Sequence, residues 1–165
     1  MTVTFTRIDD RVIHGQTTTR WSKEYPIDGF VVVGDEILED KLRARVLKAA
    51  AGNLKFGLYS EDNAVEKITL AHESKRNFFL ITNSPKVFER IHKAGANLGK
   101  EINVGPMNTR DGAIIVSRTL ALTEEDYNAF EYLNNQGIKI SFQLIPEDEK
   151  KDWKEIKNKY DNLKK

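Results

Sequence analysis

The runs Phe30-Val31-Val32-Val33 and Phe78-Phe79-Leu80-Ile81 carry no polar residue in alternation. A strand that is apolar on both faces must be covered on both, and an α/β protein does this with helices above and below a mostly parallel sheet. Around these runs, short apolar segments alternate with amphipathic ones. Strands are expected at Val3–Ile8, Phe30–Val33, Lys55–Tyr59, Phe78–Ile81, Glu101–Val104, Ala113–Ser117 and Ile138–Leu144. In the last, Ile138, Ile140, Phe142 and Leu144 alternate with polar residues, as in a strand half-exposed or near an edge. The expected fold is an open, mainly parallel α/β sheet of about seven strands with helices on both faces.

Helix signals punctuate the intervals. Leu38, Leu42, Val46 and Ala49 share one face of the second helix, which Gly52 closes. Ser84-Pro85 is an N-cap with proline at the first helical position, and Gly95 is the stop. Thr123 to Asp126 reads as a capping box, followed by the stripe Tyr127, Phe130 and Leu133. Trp153, Ile156, Tyr160 and Leu163 line a final lysine-rich helix. No linker or repeat divides residues 1–165, so a single domain is expected.

With 26 basic and 25 acidic residues the net charge is +1, which gives no footing for nucleic acid. Cysteine is absent, which removes disulfides, thiol chemistry and the usual zinc sites. No His-Glu-x-x-His spacing or Walker loop occurs, so neither a metal nor a cofactor is expected. The start of the chain runs straight into charge, unlike a signal peptide. The apolar runs fall far short of the ~20 residues that span a bilayer.

In such a sheet, ligands bind outside the carboxyl ends of the strands. The stretch Arg7-Ile8-Asp9-Asp10-Arg11-Val12-Ile13-His14-Gly15-Gln16 lies there, after the first strand and before a helix. A histidine beside a helix N-terminus meets free N–H groups and the positive end of the dipole. That setting suits a phosphate on the ring and disfavours the charged imidazole. Phosphoryl transfer through histidine needs a neutral ring, cations facing the equatorial oxygens, and backbone donors in place of water.

His14 supplies the ring, Arg11 and Arg7 the guanidinium forks, and Gly15 and Gln16 the amides. Arg7 has a second reading, because strand alternation also sends it toward a structural carboxylate. Asp9 and Asp10 are placed to orient Arg11 or the ring, or to cap the helix. On residues alone, the stretch equally fits a surface histidine among local salt bridges. His72 and His92 read as surface residues. Gly105-Pro106-Met107-Asn108 reads as a tight turn or as a wall of the site.

The stretch from Arg7 to Gln16 closely resembles the phosphorylation motif of the enzyme IIB component of the mannose/fructose/sorbose family of the bacterial sugar phosphotransferase system. The resemblance runs along essentially the whole chain, through Val31-Val32-Val33-Gly34-Asp35-Glu36, Asn103-Val104-Gly105-Pro106-Met107 and Gly137-Ile138. It implies a protein-phosphohistidine–sugar phosphotransferase, in which His14 takes a phosphoryl group from phosphorylated IIA and passes it to a sugar as the membrane components IIC and IID translocate it. It also implies phosphate on the ring's Nδ1, Arg11 as its charge partner, and a cytoplasmic protein held at the inner membrane face through IIC and IID. Homo-oligomers remain open, as does the sugar. Pro106 stands where many family members have a second glycine, removing a backbone N–H, and Gly34 stands where many have an acidic residue. Two other classes compete. A histidine-phosphatase-like phosphomonoesterase would need arginine directly before His14 and a second catalytic histidine. A non-catalytic phosphate-binding module would bind without a covalent label.

Overall fold

The computed structural model describes residues 2–15 and 17–165. Seven strands form one sheet in the order β3-β2-β4-β1-β5-β8-β9. These are β1 (Val3–Ile8), β2 (Gly29–Val33), β3 (Lys55–Tyr59), β4 (Phe78–Thr82), β5 (Glu101–Val104), β8 (Lys139–Phe142) and β9 (Lys151–Asp152). All neighbours pair in parallel except β8 and β9. A separate antiparallel pair joins β6 (Ile114–Ser117) to β7 (Leu120–Leu122).

The continuous apolar runs are explained by a core on each face. Phe30 and Val32 of β2, with Phe79 and Ile81 of β4, join Phe5, Trp21, Ile37, Leu47 and Ala51 on one face. Val31, Val33 and Leu80 point the other way, against Ala64, Ile68, Phe88, Ile91, Phe130 and Trp153. The first face is covered by α2 (Asp35–Glu39) and α3 (Lys41–Ala51), after the short α1 (Ser22–Glu24). The second is covered by α4 (Glu61–Glu73), α5 (Pro85–Lys93), α6 (Glu124–Asn135) and α7 (Trp153–Lys164). Each such side chain taken from water adds about 1.5–3 kcal/mol, so these strands anchor the fold. The caps read from sequence are present: Ser84 accepts from the Lys86 N–H, and Thr123 and Asp126 form a reciprocal capping box.

Three expectations are revised. The strand expected at Ala113–Ser117 belongs to the small hairpin, and the seventh place in the main sheet goes to β9, a Lys-Asp pair too short to have a period. The second helix breaks at Asp40, whose side chain accepts from the Arg43 N–H at 3.0 Å and starts α3 afresh. Its stripe Leu38, Leu42, Val46 and Ala49 faces outward, while Ile37, Leu47 and Ala51 are buried. Periodicity found two apolar stripes and could not say which one faces the sheet. Finally, β8 lies next to the edge strand β9, as one arm of the expectation had it, but its polar face is only partly exposed, with Lys139 out and Ser141 buried.

Adjacent β1 and β4 send the chain in opposite directions, β1 toward β2 and β4 across to β5. This is the switch in strand order outside which ligands bind in open α/β sheets. His14 lies there.

Candidate functional site

The loop after β1 is pinned at several points. Gly105 N–H donates to the Ile8 carbonyl at 2.8 Å, Asp9 N–H to Thr82 at 3.0 Å and Asp10 N–H to Pro106 at 3.1 Å. Val12 has φ 62°, the left-handed region, and its side chain is wholly buried beside buried Ile13. A β-branched residue there costs about 1–3 kcal/mol, so surrounding contacts must over-determine the loop. With Val12 and Ile13 as anchors, Arg11 is left exposed and His14 keeps 15 % of its side chain accessible. The Thr17 N–H then donates to the His14 carbonyl at 2.9 Å, opening a π-helical turn at Thr17–Trp21. The helix expected after His14 is there as a π turn, wider than an α-helical one, running into α1. The group that touches the ring is a side chain.

That side chain is Asp9, fully buried, whose Oδ2 lies 3.1 Å from His14 Nε2. The same oxygen meets Arg7 at 3.2 Å, and Oδ1 accepts from the Arg11 N–H at 2.9 Å. Burial pushes the Asp9 carboxyl up, but the His14 hydrogen bond, the Arg7 charge and the Arg11 N–H outweigh it and hold the group below its ordinary value. An ionised carboxylate only accepts. Nε2 therefore donates in this contact, and Nδ1, the other ring nitrogen, makes no hydrogen bond to the described residues.

Arg7 turns inward. Its five donors go to Asp9, to Asn103, and to the Gln143 and Leu144 carbonyls, and its guanidinium lies 4.9 Å from the centroid of Trp21. Burial lowers its pKa, opposed by Asp9. Of the two sequence readings of Arg7, the structural carboxylate is the one realised, and no donor is left for a phosphate. Gly105 is required beside it, because a Cβ there would overlap the guanidinium and lie 3.0 Å from Asp9 Oδ2. Asn103 and Gln143 were missed in the sequence. Their signal was faint: polar residues at positions of β5 and just beyond β8 where the pattern asks for apolar ones.

Asp10 turns the other way and accepts the Asn108 N–H, while the Arg43 guanidinium donates to its carbonyl at 2.9 Å. Burial raises the Asp10 pKa, with the Asn108 N–H and Arg110 opposing. The turn Gly105–Asn108 thus walls the site, and Pro106 contributes its carbonyl. Arg11 makes no side-chain hydrogen bond or ion pair with the described residues and borders an open cleft of about 550 Å³ with Pro106, Asn108 and Leu144. Gly15 is exposed beside the ring, and Gln16 lies outside the described residues. His72 Nε2 contacts the Asn97 carbonyl at 2.9 Å and His92 Nδ1 the Tyr132 hydroxyl at 2.9 Å. Both sit near the carboxyl ends of α4 and α5, toward the amino ends of the parallel strands and away from His14, which follows the carboxyl end of β1.

The chain as a sequence matches one family model over nearly its whole length. The profile of the PTS system sorbose subfamily IIB component covers residues 3–165. The chain belongs to this family. It is 33% identical over 161 residues to the fructose-specific EIIB component of Bacillus subtilis, covering 94% of this chain and 96% of the relative. The mannose-specific EIIAB component of Escherichia coli is 32% identical over 166 residues, covering 98% of this chain and 50% of that protein. The IIB domain of the sorbose permease from Klebsiella pneumoniae superposes with a TM-score of 0.87 at 27% identity, covering 96% of this chain and 97% of that domain. This EIIB chain is thus a component of the sugar phosphotransferase system, with the same mostly parallel sheet. No helix among the described residues is long and apolar enough to cross a membrane.

Proposed function

We propose that this EIIB chain, acting as one unit over residues 1–165, is a phosphocarrier that accepts a phosphoryl group on His14 Nδ1 and delivers it to a sugar. The observation that carries this reading is the Asp9–His14 contact at 3.1 Å, with Asp9 itself clamped by Arg7. It fixes the ring's orientation and proton and turns one nucleophilic nitrogen outward.

In the first step the Nδ1 lone pair attacks phosphorus of a phosphohistidine on the donor. One N–P bond forms as the donor's N–P bond breaks, and its electron pair returns to the donor ring. Arg11, exposed three residues before His14, faces the equatorial oxygens, and the amides around Gly15 and Gln16 replace water. Asp9 stabilises the positive ring that phosphorylation creates. In the second step a sugar hydroxyl attacks phosphorus, the His14 N–P bond breaks, and the hydroxyl proton leaves to a base outside this chain.

The donor is phosphorylated IIA, a reading supported by the relative named as an EIIAB component. The sugar is presented by the membrane components IIC and IID, which would hold this protein at the cytoplasmic face. A phosphatase would need a second histidine at the site, and His72 and His92 are engaged toward the other end of the strands. The test is transfer of labelled phosphate from phosphoenolpyruvate through the general phosphotransferase proteins and IIA. Acid-labile label on His14, absent from His14→Ala and drained to sugar only with IIC and IID, is expected. Label retained by His14→Ala refutes the assignment.

A further inference from the structure

Arg7 of β1 lies level with Asn103 of β5 in the parallel register, so their side chains share a face of the sheet. Asn103 lies level in turn with Ser141 of β8, and Gln143, two residues on, returns to the same face. Both amides are buried, Asn103 3% and Gln143 7% exposed, in positions that an apolar side chain would fill without desolvating a polar group. Each orientation is dictated by its neighbours. Arg7 can only donate, so Asn103 turns Oδ1 toward it. Asn103 Nδ2 then donates to Gln143 Oε1 at 3.1 Å, and Gln143 Nε2 donates to the Pro146 and Asp148 carbonyls at 3.0 and 2.8 Å. The Gln143 and Leu144 carbonyls accept from Arg7 at 3.0 and 3.1 Å. One unbroken series of hydrogen bonds thus runs from the turn after β8 to the ring, through Gln143, Asn103, Arg7 and Asp9 to His14.

We infer that Asn103 and Gln143 are positioning residues for His14: they set the angle at which Arg7 meets Asp9, and hence the angle at which Asp9 holds the ring. This rests on the reading of His14 as a carrier. Charge attraction between Arg7 and Asp9 fixes their separation but has little direction, and leaves the guanidinium free to turn. Its donors form a rigid fork, so acceptors placed along the remaining prongs fix its plane. Without the Asn103 amide, Arg7 Nη1 keeps only the Gln143 carbonyl, and Asp9 Oδ2 is free to follow the guanidinium away from Nε2. A misplacement of about 1 Å at a reacting group can cost on the order of a hundredfold in rate. Both amides lie beneath the surface, out of reach of a docked protein, so their effect is confined to the chemical step.

The test uses the full chain carrying Asn103→Leu or Gln143→Met, which nearly keep volume and remove the amide. Each variant is labelled at His14 by phosphoramidate, which needs no docking, and by phosphorylated IIA over a range of concentrations. The nitrogen NMR spectrum of the His14 ring is recorded beside them. Labelling by phosphoramidate and the maximal rate from IIA are expected to fall together, by at least about tenfold, with KM for IIA unchanged. The ring's nitrogen shifts are expected to move away from the form protonated at Nε2 alone, the form that Asp9 selects. Normal rates and an unchanged ring spectrum in a less stable protein overturn the proposal, because the amides then serve only the fold. A rise in KM alone also overturns it, since docking rather than the ring would be altered. If Asn103→Leu does not fold, Gln143→Met, which leaves Asn103 to Arg7, carries the test; if neither folds, the proposal falls. Should the unmodified protein take label from neither source, the carrier reading fails, while the ring spectra still decide whether the amides hold His14.

Discussion

Replacing Asp9 by Asn changes almost no volume and removes one charge, which makes it the sharpest probe of the site. Asp9 Oδ2 serves Arg7 at 3.2 Å and His14 at 3.1 Å, while Oδ1 accepts from the Arg11 N–H. An amide cannot satisfy all three. With its oxygen toward His14 and Arg7, its NH₂ opposes the Arg11 N–H. Flipped, it presents NH₂ to Arg7 and to Nε2, which must then become the acceptor and hand the ring proton to Nδ1.

Coulomb's law at 3.2 Å and an effective dielectric constant of about 20 gives roughly 5 kcal/mol for the Arg7–Asp9 pair. Leaving one member of a buried pair uncompensated costs about 3–5 kcal/mol. For a chain of this size that lowers the unfolding midpoint by about 10 °C. Urea and thermal unfolding read the first effect. Phosphoramidate labelling of His14 reads the second, expected to slow at least about a hundredfold because the nucleophilic nitrogen is protonated. An Asp9→Asn protein within about 1 kcal/mol of the original, labelled at the original rate, refutes both the clamp and the tautomer argument.

Other outcomes follow from the same geometry. Gly105→Ala drives a methyl into the Arg7 guanidinium, which four hydrogen bonds and the Asp9 ion pair hold in place, and should cost about 2–4 kcal/mol by urea unfolding; a neutral result would mean Arg7 has room to move. Arg11→Ala should leave stability within about 0.5 kcal/mol, since the side chain is exposed, yet slow transfer from IIA at least about tenfold; an unchanged rate removes Arg11 from the mechanism. Asp9 is held below its ordinary 3.8, so its stabilisation is complete above that pH and is lost as pH falls through the lowered value. Asp10 is raised above 3.8, so its ionisation opposes folding once pH exceeds the raised value. Asp10→Asn, which keeps an acceptor for the Asn108 N–H, should match or exceed the original protein in urea at pH 7, with the gap closing toward pH 3; a clear loss at pH 7 contradicts the sign.

The strands that face two cores were legible because burial on both sides leaves a run such as Phe30–Val33 with no polar residue. The caps at Ser84 and Thr123 were legible because their chemistry is local. Long-range facts were less so. Whether Leu42 or Leu47 faces the sheet depends on the register of α3 against β2, which a period does not encode. The pairing of β9 depends on what lies beside β8, since two residues carry no pattern. At the candidate site, the sequence pointed to His14, Arg11 and the acidic pair. That Arg7 spends its donors on Asn103 and on the carbonyls of Gln143 and Leu144 is a contact across nearly the whole length of the chain. Only its position on a strand hinted at it.

The buried carboxylate beside Nε2 leaves the ring a single outlet, and on the carrier reading this orders events in time. Whatever delivers the phosphoryl group and whatever removes it must use the same nitrogen from the same side, so they exclude one another. Each cycle then includes a departure and an arrival, and throughput is capped by how fast the first partner lets go. Tight binding to either partner would stall uptake, so a variant selected for high affinity to IIA should act as a brake on the pathway.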